Sequence, residues 1–158
     1  MDSFATSPSE IAPGDLAALI CLDDEMMQAQ VVDQIAPLGF STHTVSDAGQ
    51  ADFHLQAHTY ELVVVHERFA GGDVESNTVL HLLRELPLNR RRGSLVVLVG
   101  PGMESHSEMQ AFLYGVDLTL NESELEDFRT LAGRGLMRQE ERYAAFQAVF
   151  KRVQERAG

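Results

Sequence analysis

The stretch Glu61-Leu62-Val63-Val64-Val65-His66-Glu67-Arg68-Phe69 (ELVVVHERF) decides how the rest of the chain reads. Leu62 to Val65 is an unbroken apolar run, mostly β-branched, and it stops abruptly at His66. A strand covered on both faces needs apolar side chains at every position rather than at alternate ones. The run therefore predicts a central strand of a parallel sheet. At the carboxyl end of such a strand, side chains emerge into the crevice where open α/β sheets bind ligands. His66, followed by Glu67, Arg68 and a Gly71-Gly72 turn, takes that position.

Working outward, Ser94 to Val99 (SLVVLV) predicts a second buried strand, broken by Gly100-Pro101-Gly102. Leu16 to Leu22 (LAALICL) predicts another, ending in Asp23, Asp24 and Glu25. Val31, Val32, Ile35 and Leu38 recur at helical spacing before Gly39. Phe40 to Val45 alternates weakly, as an edge strand does. Ser46 or Asp47 is a suitable N-cap for a helix with Ala48, Ala51 and Leu55 on one face. Val79, Leu80, Leu82, Leu83 and Leu86 mark a third helix that Pro87 ends, and Asn89-Arg90-Arg91-Arg92-Gly93 reads as a polar loop. A fourth helix carries Met109, Phe112 and Leu113 and stops at Gly115. Val116 to Leu120 reads as a short strand, and everything after Asn121 as helical. Strands alternating with helices imply a parallel sheet with helices on both faces. Five such units point to a flavodoxin-like doubly wound (βα)5 sheet of order 2-1-3-4-5.

The chain has 158 residues, enough for one domain with a stable core, and a formal net charge of −12. That balance argues against binding nucleic acid or an anionic membrane through a broad basic surface. Residues 1–83 hold a single basic side chain, Arg68, whereas the segment from Arg134 onward has six basic residues against three acidic ones. The lone Cys21 lies in an apolar run, which predicts a buried thiol. Residues 1–15, rich in Ser, Pro, Ala and Gly, read as a flexible leader, and residues 16–135 as the domain. No signal pattern or membrane-length apolar stretch stands out, so a soluble cytoplasmic protein is expected.

Over residues 16 to about 123 the chain resembles the receiver domain of bacterial response regulators. ALICLDDE resembles the first strand and acidic pair of that family, which places Asp23 and Asp24 where its magnesium-binding carboxylates stand. Gly39-Phe40, Ala51, Leu55 and Tyr60-Glu61-Leu62-Val63 match further landmarks. The departures fall in the phosphorylation pocket. His66 stands in place of the phosphoacceptor aspartate, and Gly100 in place of a threonine or serine. Glu122, or Asn121 if the register slips by one, replaces the essential lysine, with Ser123 in place of its proline. The aromatic switch position is Thr119. Aspartyl phosphorylation needs a carboxylate nucleophile, a divalent metal and a cation with a hydroxyl to hold the phosphoryl oxygens. An acid in place of the lysine reverses the sign of the electrostatic contribution. The resemblance thus implies a pseudo-receiver without catalytic turnover or cofactor, acting as a protein-interaction or regulatory module.

Two rival functions follow from the same residues. One is a regulator that binds a metal or small ligand in the Asp23, Asp24 and His66 crevice; the other is a receiver phosphorylated by an unusual route. The plainer role for His66 is to cap the old pocket with a hydrogen bond to Asp24. His54 and His58, at i and i+4, could pair on zinc but lack a third ligand, and solvent exposure is the expected state. Arg90-Arg91-Arg92 is expected to be solvated, and no glycine-rich phosphate cradle follows any strand.

The C-terminal segment exceeds what a receiver needs. Leu125, Phe128 and Leu131 form a first face, and Gly133 and Gly135 then weaken the helix. Beyond them Phe146, Val149, Phe150 and Val153 fall at i, i+3, i+4 and i+7, with Tyr143 one turn earlier. Residues 136–158 are therefore expected to form an extended helix that serves as an interface, most simply in a homodimer.

Overall fold

The computed structural model describes residues 16–157; side chains at 143–147, 149, 150, 153, 154 and 157 lie outside the described residues. Five strands, β1 (Leu16–Cys21), β2 (Phe40–Thr44), β3 (Leu62–His66), β4 (Leu95–Gly100) and β5 (Leu118–Asn121), form one sheet of order β2-β1-β3-β4-β5. Every pairing is parallel. The expected doubly wound order is the one observed. The fifth strand begins two residues later than its apolar run suggested, because Val116 and Asp117 form the approach to it: Asp117 N–H reaches Val96 O at 2.9 Å.

Burial on both faces accounts for the continuous apolar runs. Leu62 and Val64 of β3, with Ala18, Ile20, Val97 and Val99, face α1 (Glu25–Ile35) and α6 (Phe128–Ala157). Val63 and Val65, with Leu19, Cys21, Val96 and Leu98, face α2 (Ala48–Ala57) and α3 (Thr78–Glu85). Polar caps fix where the helices start. Asp24, Asp47 and Asn77 each accept from backbone N–H groups in the first turn of α1, α2 and α3. After α1 a short 3-10 turn closes on Gly39, whose φ of 93° is the left-handed conformation that glycine adopts without steric cost.

One local expectation is corrected. The arginine segment is not a loop but a one-turn helix, α4 (Leu88–Arg92), and its side chains bind the body of the domain. Arg90 Nη2 donates to Leu55 O at 2.5 Å and His58 O at 3.1 Å, closing the open carbonyl end of α2. Arg91 donates to Asp117 at 3.1 Å and to the Ser94 and Gly115 carbonyls. Unsatisfied carbonyls at a helix end attract the nearest donors, and these arginines supply them.

The expected fourth helix is α5 (Glu108–Tyr114), closed by Gly115. Its large apolar residues do not face the core: Met109, Phe112 and Leu113 are 81%, 90% and 64% exposed. Ala111 and Tyr114 pack inward instead. The helix is bounded by the Ser107 cap and the left-handed Gly115 turn.

The helix after β5 starts as a 3-10 segment (Glu122–Asp127) and continues as α6 through Ala157 without a break at Gly133 or Gly135. At Gly135 the helix backbone lies close against the sheet. A Cβ there would stand 2.7 Å from Leu118 Cδ1 and 2.9 Å from Leu95 Cδ2. Phe128, Leu131 and Ala132 are buried, and Gln139 Nε2 donates to Arg92 O at 2.8 Å. The proposed interface residues Tyr143, Phe146, Val149, Phe150 and Val153 lie outside the described side chains, although the helix backbone runs through them.

Candidate functional site

The carboxyl ends of β1, β3, β4 and β5 converge on His66, the last residue of β3. Its Nδ1 accepts from the Arg68 backbone N–H at 3.1 Å. The ring proton therefore sits on Nε2, which donates to Glu122 Oε1 at 2.8 Å. Glu122 opens the 3-10 segment directly after β5, so the pair joins two strand ends that are 56 residues apart in sequence.

The partner expected for His66 was Asp24, and here the structure corrects the sequence. Asp24 is the N-cap of α1, with Oδ1 accepting from Met26 N–H at 2.8 Å and Met27 N–H at 3.0 Å. Those two donors turn the carboxylate onto the helix end and away from β3. Asp23 is also engaged: its Oδ2 accepts from the Ala70 N–H at 3.1 Å, in the turn after β3 where Ala70 takes a φ of 61°. A non-glycine residue in that region is uncommon and needs a local hold, which Asp23 supplies.

Glu67, the residue after His66, turns inward and is buried. Its Oε1 accepts from Gly102 N–H at 2.6 Å, which lays the carboxylate across Gly100. A Cβ at position 100 would stand 2.0 Å from that oxygen. The site thus lacks more than a hydroxyl at position 100: it has no room for any side chain there. The sequence carried a signal for this in the acid beside His66 facing a Gly-Pro-Gly turn, but it went unread. Asn77 was likewise missed. Buried behind the site, it donates to His66 O at 2.9 Å and Glu67 O at 3.2 Å while capping α3 through the Leu80 N–H.

Thr119 and Asn121 pin the connection between β4 and α5. Thr119 is fully buried; its hydroxyl donates to Glu104 O at 2.7 Å and accepts from Ser107 N–H at 3.0 Å. Asn121 donates to Pro101 O at 3.3 Å and Met103 O at 2.9 Å. Of the two registers open for the lysine position, Glu122 is the residue that reaches the end of β3, while Asn121 holds loop carbonyls. Thr119 thus ties β5 to both ends of the segment that leads into α5.

The residues present do not fit a magnesium site. Magnesium takes oxygen ligands in a near-octahedral set. Asp24 Oδ1 already accepts two N–H groups, Asp23 Oδ2 accepts one, and the third ligand position is an imidazole that directs its proton at Glu122. Among the described residues no three His, Cys, Asp or Glu side chains are arranged to hold a metal ion. Cys21 is fully buried, and burial, with the nearby Asp23 charge adding to it, pushes its thiol up, so it stays protonated.

At the opposite end of the sheet His54 and His58 are half-buried rather than exposed. The Tyr60 hydroxyl lies 2.6 Å from His43 Nδ1 and 3.1 Å from His54 Nδ1. A phenol has one proton, so it donates to one imidazole and accepts from the other. Among the described residues no third His, Cys, Asp or Glu joins His54 and His58 to complete a metal set. Burial holds the His54 imidazole below its ordinary range and pushes the Tyr60 phenol up, with Cys21 a smaller cause for the latter.

No protein-family model matches the chain, and no curated protein matches it. Solved structures do. The receiver domain of the Francisella response regulator 1452 is 14% identical with a TM-score of 0.61, covering 78% of this chain and 98% of that one. The H. pylori orphan response regulator HP1043 gives 13% identity and a TM-score of 0.59, covering 79% and 99%. The receiver domain of the sensor histidine kinase PA1611 from Pseudomonas aeruginosa, which has magnesium coordinated in its active-site cleft, gives 15% and 0.61, covering 78% and 98%. At these identities the likeness establishes the fold: the chain has the architecture of receiver domains. Among the described residues no helix is long and apolar enough to cross a membrane.

Proposed function

We propose that this protein is a pseudo-receiver, a regulatory interaction module in two-component signalling that works without phosphorylation and without catalytic turnover. The observation that carries this reading is the 2.8 Å hydrogen bond from His66 Nε2 to Glu122. It joins the positions that a working receiver reserves for nucleophile and cation, and it leaves neither. Glu67 adds to the case by filling the space of the hydroxyl donor at Gly100. Thr119 hydrogen-bonds at two points to the segment between β4 and α5 that phosphorylation would have to move. An approaching phosphoryl group would meet the Glu67 and Glu122 carboxylates, which opposes the transfer.

With phosphate chemistry absent, output comes from contact with another protein. The long α6 supports a homodimer formed through its second half. Its basic residues and the acidic remainder of the chain are of opposite charge, which favours association between copies.

Incubation with acetyl phosphate and magnesium tests the reading. The intact mass should be unchanged, and calorimetry should give magnesium affinity no tighter than about millimolar. A mass gain of about 80 Da, one phosphoryl group, would overturn the proposal in favour of a receiver modified by an unusual route. Tight metal binding lost in Asp24→Asn would instead favour a metal-binding regulator.

A further inference from the structure

Resting on the homodimer reading above, we infer that the exposed face of α5 is the seat for the second half of α6 from a second copy. Met109, Phe112 and Leu113 stand at i, i+3 and i+4 and form one stripe that points to solvent, with Phe112 90% exposed. The inward face of the same helix is already satisfied by Ala111 and Tyr114, so the stripe does nothing for the domain's own core. A contiguous apolar patch of this kind marks a contact surface.

Charge selects the occupant. Every charged side chain between Pro101 and Asp127 is acidic, Glu108 in the first turn of α5 among them, while the neighbouring Arg84 and Arg91 are engaged by the Tyr114 and Gly115 carbonyls at the other end of the helix. The matching partner is an amphipathic helix with basic flanks. From Arg142 to Arg156 the chain itself carries Arg142, Lys151, Arg152 and Arg156 against Glu155 alone. On a helix, Phe146, Val149, Phe150 and Val153 share one face of that segment.

Reach and topology make the seat a partner's rather than the chain's own. Gln139 makes the last described bond from α6 to its own domain, and the helix continues to Ala157, a further stretch of about 27 Å at 1.5 Å per residue. Within one chain α5 and α6 pack on opposite faces of the sheet. The sheet therefore stands between α6 and its own α5. Each copy offers one seat and one helix, and reciprocal exchange closes as a two-fold dimer with no open ends.

Light scattering of the full chain should report a dimer. Met109→Glu with Phe112→Glu should yield a monomer with unchanged circular dichroism, since both side chains are exposed. Independently, equimolar Phe112→Cys and Phe150→Cys chains, treated with a short thiol cross-linker, should join chiefly to one another; Cys21 is buried and does not compete. A dimer that survives the double substitution, or one that cross-links mainly Phe112→Cys to itself, overturns the α5 seat while leaving the dimer reading intact. A monomeric wild type overturns both.

Discussion

The Glu67 carboxylate occupies the space that the first carbon of any side chain at position 100 would need, 2.0 Å from Glu67 Oε1. The two positions are therefore a coupled pair: the inward acid requires the glycine, and the glycine gives the acid its bond to Gly102. Restoring a receiver-like residue at one position means changing the other.

Gly100→Thr alone should lower stability by at least the 1–3 kcal/mol typical of overpacking, read as a fall in the urea midpoint. Glu67→Ala with Gly100→Thr should be less destabilised than the two single variants predict together. A double-mutant cycle measures this coupling, and additive effects would contradict the overlap.

His66→Asp should also destabilise. It replaces a hydrogen bond to a charged acceptor, worth about 1.5–3 kcal/mol, with two facing carboxylates. Adding Glu122→Lys should recover most of the loss by restoring opposite charges across the same gap. His66→Asp alone should remain unphosphorylated by acetyl phosphate in intact-mass measurements, because Glu122 and Glu67 still oppose the incoming group.

Acid should weaken the domain through the cluster around Tyr60. Burial holds folded His54 below the ordinary value of 6.5, so the folded state disfavours the proton that the unfolded chain accepts. The stability tied to this group is complete above pH 6.5 and declines as pH falls from 6.5 toward the depressed folded value. The urea midpoint should drop between pH 7 and pH 5, and His54→Gln should flatten that dependence. An equal slope in wild type and variant would remove His54 as its source.

Arg90→Ala should cost about 1–3 kcal/mol, because it leaves the Leu55 and His58 carbonyls at the end of α2 without their charged donor. Hydrogen exchange should quicken first in the last turn of α2. An unchanged exchange pattern would show that solvent satisfies those carbonyls equally well.

The strands and their order were legible in the sequence because both-face burial writes itself locally: LVVV and LVVLV need no partner to be recognised. The start of α2 was legible for the same reason, since Asp47 caps the turn that immediately follows it, whereas the caps at Asp24 and Asn77 emerged only from the structure. His66 and Gly100 could also be placed, because each lies at a strand end, while the choice between Asn121 and Glu122 was left to the tertiary structure. What the tertiary structure alone decided was which polar groups meet. His66 had carboxylates available at Asp24 and Glu122, and nothing in their spacing tells which one the crossovers deliver. The inward turn of Glu67, the hold of Arg90 on α2 and the Tyr60 bridge between His43 and His54 are likewise long-range. The outward face of α5 escaped periodicity too, because a stripe of Met109, Phe112 and Leu113 has the same spacing whichever way the helix is rotated. Apolar burial is set by pattern along the chain, whereas polar pairing and helix rotation are set by neighbours that only the folded sheet assembles.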